Sequence, residues 1–352
     1  MQSTLNSATS ARVLFGSGTL AELPNELDRL GRRRALVLST EAQGDVAERL
    51  STLLGNATGS VFSGAAMHTP VDVTEAAMKV VEQDDIDCLV AVGGGSTTGL
   101  SKAIAWRTGL PQIILPTTYA GSEMTPILGQ TEDGLKTTLS DPRVLPGTVI
   151  YDVKLTLGLS ADMSGPSGIN AIAHAVEAMY AENRNESTSE LAEEGIRRLS
   201  SALPAIIDSP GDIEARTDAL FGAALCGICL ANVGMALHHK LCHTLGGSFG
   251  LPHAETHTAV LPHAVQYNAA AEPDVMDRIS AAIGEGSAPE ALFSLGESVG
   301  ANMALRDLGL QEADLDRAAD LAVQNPYWNP RPLERDAIRE LLTRAWAGER
   351  PA

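Results

Sequence analysis

Between about residues 12 and 150 the chain alternates short apolar runs with longer stretches of helical spacing. Arg34-Ala35-Leu36-Val37-Leu38-Ser39, Ile86-Asp87-Cys88-Leu89-Val90-Ala91-Val92 and Gln112-Ile113-Ile114-Leu115-Pro116 have continuous apolar centres. Such runs read as strands buried on both faces rather than strands with one wet side. Helical patterns over Gly44–Leu54, Val73–Gln83 and Gly99–Arg107 separate them. Strand, helix and strand in succession predict a parallel sheet with right-handed crossovers, whose ligands sit at the carboxyl ends of the strands. Tyr151-Asp152, at the end of Thr148-Val149-Ile150, reads as the last strand's edge. Beyond about residue 158 the strand signal stops. Amphipathic helical stretches follow over Gly168–Ala181, Ser189–Ile207, Ile213–Ala231, Met235–Leu245 and Ala254–Asn268, with more between Val275 and Leu342. Pro204 is expected to kink or end one of them, and Gly246-Gly247 to stop another. The fold class expected is α/β: a parallel-sheet nucleotide-binding domain over residues 1–157, then an all-α catalytic domain over 158–352.

Composition narrows the function. The chain has 352 residues, 44% hydrophobic and 20% charged, as in a globular protein of two domains. A net charge of −19 repels nucleic acid and anionic membranes, so neither is expected as a partner. No basic segment followed by an apolar run opens the sequence, and no apolar stretch reaches the roughly 18 residues of a membrane span. The expected location is the cytoplasm. Cys226-Gly-Ile-Cys229 has metal or redox spacing, but it lies in the apolar helical stretch Ala223–Ala231 with no second such pair. It reads as a buried pair of small hydrophobes.

The candidate chemistry is concentrated. Seven of the eight histidines fall between His174 and His263. His174 follows Asn170 by four residues, His239 and His243 are four apart, and His253 comes ten later. Residues four apart share a helix face, about 6 Å apart. Two such faces turned toward one another build a nest of imidazoles, groups that bind metals and carry protons near neutral pH. His238, His257 and His263 are assigned structural places, His257 with a possible supporting one. A second feature is Val90-Ala91-Val92 followed by Gly93-Gly94-Gly95-Ser96-Thr97-Thr98-Gly99 and a helix. A strand, a glycine turn and a helix N-terminus cradle a pyrophosphate through backbone N–H groups. The loop matches neither GxGxxG nor a Walker A motif. Thr117-Thr118-Tyr119-Ala120-Gly121-Ser122-Glu123, after the next strand, brings hydroxyls to the same end of the sheet. Ser39, at the end of an earlier strand, has no carboxylate to repel a 2′-phosphate, so both NADH and NADPH are expected to serve.

Taken together, Gly93-Gly94-Gly95-Ser96, Pro116-Thr117-Thr118 with Gly121-Ser122-Glu123, and His174, His239, His243 and His253 resemble the iron-containing alcohol dehydrogenase superfamily over nearly the whole chain. The resemblance implies an N-terminal nucleotide-binding domain, a helical C-terminal domain, NAD(P) and a divalent metal in the cleft between them. Two departures stand out. The family's metal-binding aspartate is Asn170 here, and the aspartate usual three residues after the loop serine is Gly99. Both look like the maleylacetate reductase branch, as do Ala66-Met67-His68-Thr69-Pro70, Lys136-Thr137-Thr138, Asp141–Pro146 and Asn325–Pro332. That branch implies reduction of a C=C bond conjugated to a ketone, maleylacetate giving 3-oxoadipate, in the degradation of aromatic compounds.

On this resemblance the cofactor-binding positions are Gly94, Gly95, Ser96, Thr117, Thr118, Ser122, Lys136, Ser39 and His68. His243 is assigned proton delivery, with His174, His239, His253 and Asn170 polarising the substrate. Tyr119, Tyr327 and Arg331 are candidate binders of a small dicarboxylate, and a homodimer is expected by analogy. Because the family's aspartate is replaced by an amide, the four positions Asn170, His174, His239 and His253 are expected to be vestigial, with no metal bound. The competing readings are a metal-dependent alcohol or polyol dehydrogenase of the same superfamily and a non-catalytic metal-binding protein on that scaffold.

Overall fold

The structure, a computed structural model, describes residues 11–132, 135–284 and 286–351, without the side chains of Leu135 and Lys136. The chain divides into two compact units between Leu159 and Ser160.

The first unit is built on six strands: β1 (Arg12–Gly16), β2 (Ala35–Leu38), β3 (Thr58–Phe62), β4 (Cys88–Gly93), β5 (Gln112–Pro116) and, after a hairpin, β8 (Thr148–Asp152). They lie in the order β1-β8-β5-β4-β2-β3, every pair parallel. All residues of β2, β4, β5 and β8 are buried, as the continuous apolar runs require. Tyr151 and Asp152 belong to β8, which runs inside the sheet between β5 and β1. The edge strands β1 and β3 have mixed exposure, and their pattern is correspondingly weaker. Ala47, Leu50 and Leu54, on the helix Gly44–Leu54, pack with Val37, Val90, Val92 and Ile113. Ala77 and Val81, and Leu100 and Ile104, from the helices Val71–Gln83 and Gly95–Thr108, pack with Leu36, Leu38, Leu89 and Ile114. Helices therefore cover both faces of the sheet. The chain leaves β2 toward β3 on one side and β4 toward β5 on the other, so the direction of winding reverses between β2 and β4. Open sheets of this kind bind ligands at the carboxyl ends beside that reversal.

Sequence periodicity does not announce the antiparallel hairpin of β6 (Ile127–Glu132) and β7 (Leu135–Ser140). Its strands are largely polar, and it stands apart from the main sheet. The expected Gly99 start is also corrected. The helix begins at Gly95, so Gly95-Ser96-Thr97-Thr98 form its first turn.

The described residues of the second unit are helical, with no strand among them. Its principal helices are Ala161–Met179, Glu186–Asp208, Ile213–Asn232, Leu237–Phe249 and His253–Asn268. Pro204 does not end its helix, which runs on to Asp208. Gly246-Gly247 do not stop theirs either. The helix ends at Gly250, whose φ of 70° is the left-handed cap conformation, with its N–H on the Gly246 carbonyl and the Leu251 N–H on that of Leu245. Cys226 and Cys229 are buried on the helix Ile213–Asn232, as small hydrophobes. Among the described residues no single helix is long and apolar enough to cross a membrane.

Candidate active site

The cofactor-binding candidates of the first unit gather at one end of its sheet. Ser39 follows β2, Gly94-Gly95-Ser96 follow β4 and Thr117-Thr118 follow β5, three neighbouring strands. Gly93 has φ 153°, and a Cβ there would lie 2.3 Å from Thr97 Oγ1 and 2.7 Å from Gln43 Oε1, so only glycine fits. Gln43 Nε2 donates to Thr117 Oγ1 at 2.7 Å, and the Thr117 N–H donates to the Gly93 carbonyl at 3.0 Å. These bonds hold the three turns in one arrangement. Ser39 Oγ pairs with Ser63 Oγ at 2.9 Å. A Cβ on Gly99 would lie 2.2 Å from Thr69 Oγ1, so Thr69 occupies the space a side chain would need. His68 and Thr69 both have left-handed backbone, φ 65° and 50°. Ser122 sits in the turn whose carbonyls Lys102 gathers: Lys102 Nζ, buried, donates to Ser122 O, Thr125 O, Thr125 Oγ1 and Ile127 O at 2.6–3.0 Å. Tyr119 is fully buried. The side chain of Lys136 lies outside the described residues.

In the second unit three helices bring the imidazoles together. Asn170, His174 and Glu177 lie on one face of Ala161–Met179, His239 and His243 on Leu237–Phe249, and His253 and His257 on His253–Asn268. Ring centroids are 5.1 Å apart for His174 and His239, 5.9 Å for His239 and His243, 5.0 Å for His239 and His257, and 4.3 Å for His253 and His257. Exposure grades across the nest. His238, His239, His257, His174 and Asn170 are buried, His243 is half-buried and His253 is exposed.

Glu177, which the sequence analysis does not single out, organises this nest. Its Oε2 accepts from His239 Nδ1 at 2.7 Å and from the Ala236 N–H at 2.8 Å, and its Oε1 from the His238 N–H at 2.7 Å. The helix Leu237–Phe249 has no capping side chain of its own. A carboxylate from another helix therefore serves its first N–H groups and favours its positive end. Burial alone would raise the Glu177 carboxyl, but His239 beside it and these donors hold it below its ordinary value. The signal was legible as spacing: Glu177 is seven after Asn170 and three after His174, on their face.

The histidines set aside as structural are closer to the centre than expected. His238, His239 and His257 present ligand atoms all within 4.8 Å of one another. Both ring nitrogens of His257 are buried without a hydrogen-bond partner. His238 Nε2 donates to the His257 carbonyl at 3.0 Å. His263 stands elsewhere, edge-on to Phe293. Burial first, then the neighbouring imidazoles, push His174 and His257 well below the ordinary histidine value, and burial brings His238 down to about 4. At neutral pH these rings are neutral. Of the three candidate dicarboxylate binders, Tyr327 joins the nest, its hydroxyl 3.0 Å from His243 Nδ1. Arg331 donates to the Tyr267 carbonyl at 3.1 Å and stacks on that ring with its guanidinium carbon 4.0 Å from the centroid, which ties down its own loop.

Two family models match the chain, the iron-containing alcohol dehydrogenase over residues 10–153 and the C-terminal part of the Fe-containing alcohol dehydrogenase family over 165–346. A maleylacetate reductase of Burkholderia cepacia is 53% identical over 352 residues, covering all of both chains. The crystal structure of maleylacetate reductase from Agrobacterium tumefaciens superposes with a TM-score of 0.94 at 53% identity, covering all of both chains. That of an iron-containing alcohol dehydrogenase from Corynebacterium glutamicum gives 0.94 at 41% identity, covering 100% and 99%.

These matches correct the expectation that no metal is bound, because the family matched along both units is an iron-containing one. The donor set agrees with the correction. Asn170 Oδ1, His174 Nδ1 and His239 Nε2 are buried polar atoms without a partner, a costly state that a bound cation relieves. Neutral imidazoles are ligands, and an amide oxygen replaces the carboxylate without removing a donor. Asparagine at position 170 removes the carboxylate's charge but keeps an oxygen lone pair that can face a cation. The chain belongs to the iron-containing alcohol dehydrogenase family, in the branch of the maleylacetate reductases.

Proposed function

We propose that this chain reduces the C=C bond of maleylacetate to give 3-oxoadipate with NADH or NADPH, a step in the breakdown of aromatic compounds. The observation that carries the reading is full-length identity of 53% to maleylacetate reductases. Reduction of a double bond conjugated to a ketone places negative charge on the ketone oxygen as an enolate, and one proton must then reach carbon. A divalent metal held by Asn170, His174, His239 and His253 would supply a Lewis acid at that oxygen. His174 and His239 are buried, so their dipoles act in a medium of low effective dielectric. Asn170 adds amide N–H donors where an aspartate offers only acceptors. His243, half-buried and bonded to Tyr327, is the group assigned to deliver the proton, since an imidazole titrates near working pH. The glycine turn and the hydroxyls of Ser39, Ser96, Thr117 and Thr118 are assigned to the dinucleotide. The reading includes a dicarboxylate substrate and a homodimer, both carried over from the resemblance, and the cytoplasmic location expected from the sequence. Reaction with NADH deuterated at the transferred position tests it. The label is expected on a former alkene carbon of a product that keeps its ketone, whereas label on a new alcohol carbon would overturn the assignment.

A further inference from the structure

We propose that Glu177 is a positioning residue that fixes the tautomer of His239 and so holds its Nε2 lone pair ready for the metal. Three observations converge. Glu177 Oε2 lies 2.7 Å from His239 Nδ1. Both carboxylate oxygens also accept backbone N–H groups, from Ala236 and His238, so neither oxygen is free to turn away. At the other end of the ring, His239 Nε2 is buried and has no partner.

A carboxylate surrounded by three donors can only accept. The proton shared with His239 therefore resides on Nδ1, and Nε2 carries the lone pair. Metal-binding histidines are commonly held in this way by a carboxylate on the far nitrogen, which sets the ring's orientation and raises its basicity. The arrangement acquires a second meaning in this chain. With Asn170 in place of aspartate, the proposed donor set is neutral throughout, and Glu177, fully buried, is the negative charge nearest to it by hydrogen bond. The inference depends on the family's metal and makes no use of the substrate, so its test can fail independently of the proposed reaction.

Glu177→Gln separates charge and tautomer from packing. The amide keeps the shape, but one of its ends becomes an N–H donor. If that end faces His239, the ring must accept at Nδ1 and carry its proton on Nε2, where it can no longer bind a cation. The first measurement uses metal-free protein labelled with ¹⁵N-histidine, the His239 signals assigned by their loss in His239→Gln. The wild type is expected to show an unprotonated Nε2 and a protonated Nδ1, and Glu177→Gln the reverse. The second measures Zn²⁺ or Fe²⁺ retained after loading and dialysis. Glu177→Gln is expected to bind on the order of 10- to 100-fold more weakly, and Glu177→Asp to recover part of the loss. A wild-type His239 protonated on Nε2 overturns the proposal by itself, even if the variant does not fold. Unchanged tautomer and metal affinity within about twofold in a folded Glu177→Gln would overturn it equally.

Discussion

His239 and His243 are one helical turn apart but are held by different partners. The first is buried with its Nδ1 on a carboxylate, and the second is half-buried with its Nδ1 on a tyrosine hydroxyl. The first arrangement fixes a proton in place, while the second leaves a ring that can exchange one with solvent. His243→Ala is therefore expected to lower kcat by about 10²-fold or more, with KM for NADH changed by less than about threefold. Steady-state kinetics at saturating substrate decide it, and an equal change in both parameters would speak for a binding role. Asn170→Asp restores a charged ligand beside His174 and His239. It is expected to raise metal retention about tenfold or more, read by metal analysis after dialysis against a chelator. The spacing of His174, His239 and His253 was enough to predict convergence, because helical periodicity alone sets which side chains share a face. Spacing could not show which way each ring turns. That depends on Glu177 and on the Ala236 and His238 amides, and a glutamate on a helix is most often solvated.

The helix that the glycine turn opens also fixes the segment that follows β5. Lys102, on the helix that the turn opens, reaches back to gather three carbonyls and a hydroxyl of the segment Ser122–Ile127. Lys102→Met keeps the apolar stem but strands those buried acceptors. It is expected to cost about 3 kcal/mol of stability, measured from the urea midpoint at constant m-value. A loss below about 0.5 kcal/mol would mean that water or a shifted loop replaces the lysine. The central strands were legible because burial on both faces leaves an unbroken apolar run. β1 and β3, at the edges, and the polar hairpin β6–β7 were not, since half-exposed strands carry a diluted pattern. Pro204 does not end its helix for a related reason: packing of the long helix Glu186–Asp208, which buries ten of its residues, outweighs the local penalty of a proline. Gly246-Gly247 misled because two glycines in a helical pattern resemble a cap, whereas the left-handed conformation that defines one falls at Gly250.

The second unit keeps several histidines neutral in its interior, and this ties the stability of the protein to pH. His263 is the simplest case, being away from the nest. Burial, followed by the nearby Arg344 charge, lowers it to about 4 from an ordinary 6.5. A histidine lowered on folding binds fewer protons than it does in the unfolded chain. Its contribution is complete above pH 6.5 and is lost progressively as pH falls toward about 4. The shift corresponds to about 3 kcal/mol, so thermal melts should show Tm falling across that window. His263→Gln should flatten part of the fall, and a parallel curve in the variant would remove this residue from the explanation. The net charge of −19 enters differently, since the dicarboxylate proposed as substrate has to approach against the field of the whole protein. The metal assigned to the neutral imidazoles would supply local positive charge against that field. The measurement that bears most directly on the account is kcat/KM of the metal-loaded protein for maleylacetate beside a series of short aldehydes and ketones, with NADH and NADPH. The account predicts a preference for maleylacetate of at least about 100-fold, near 2.7 kcal/mol in transition-state stabilisation. Comparable or faster reduction of simple aldehydes would contradict it.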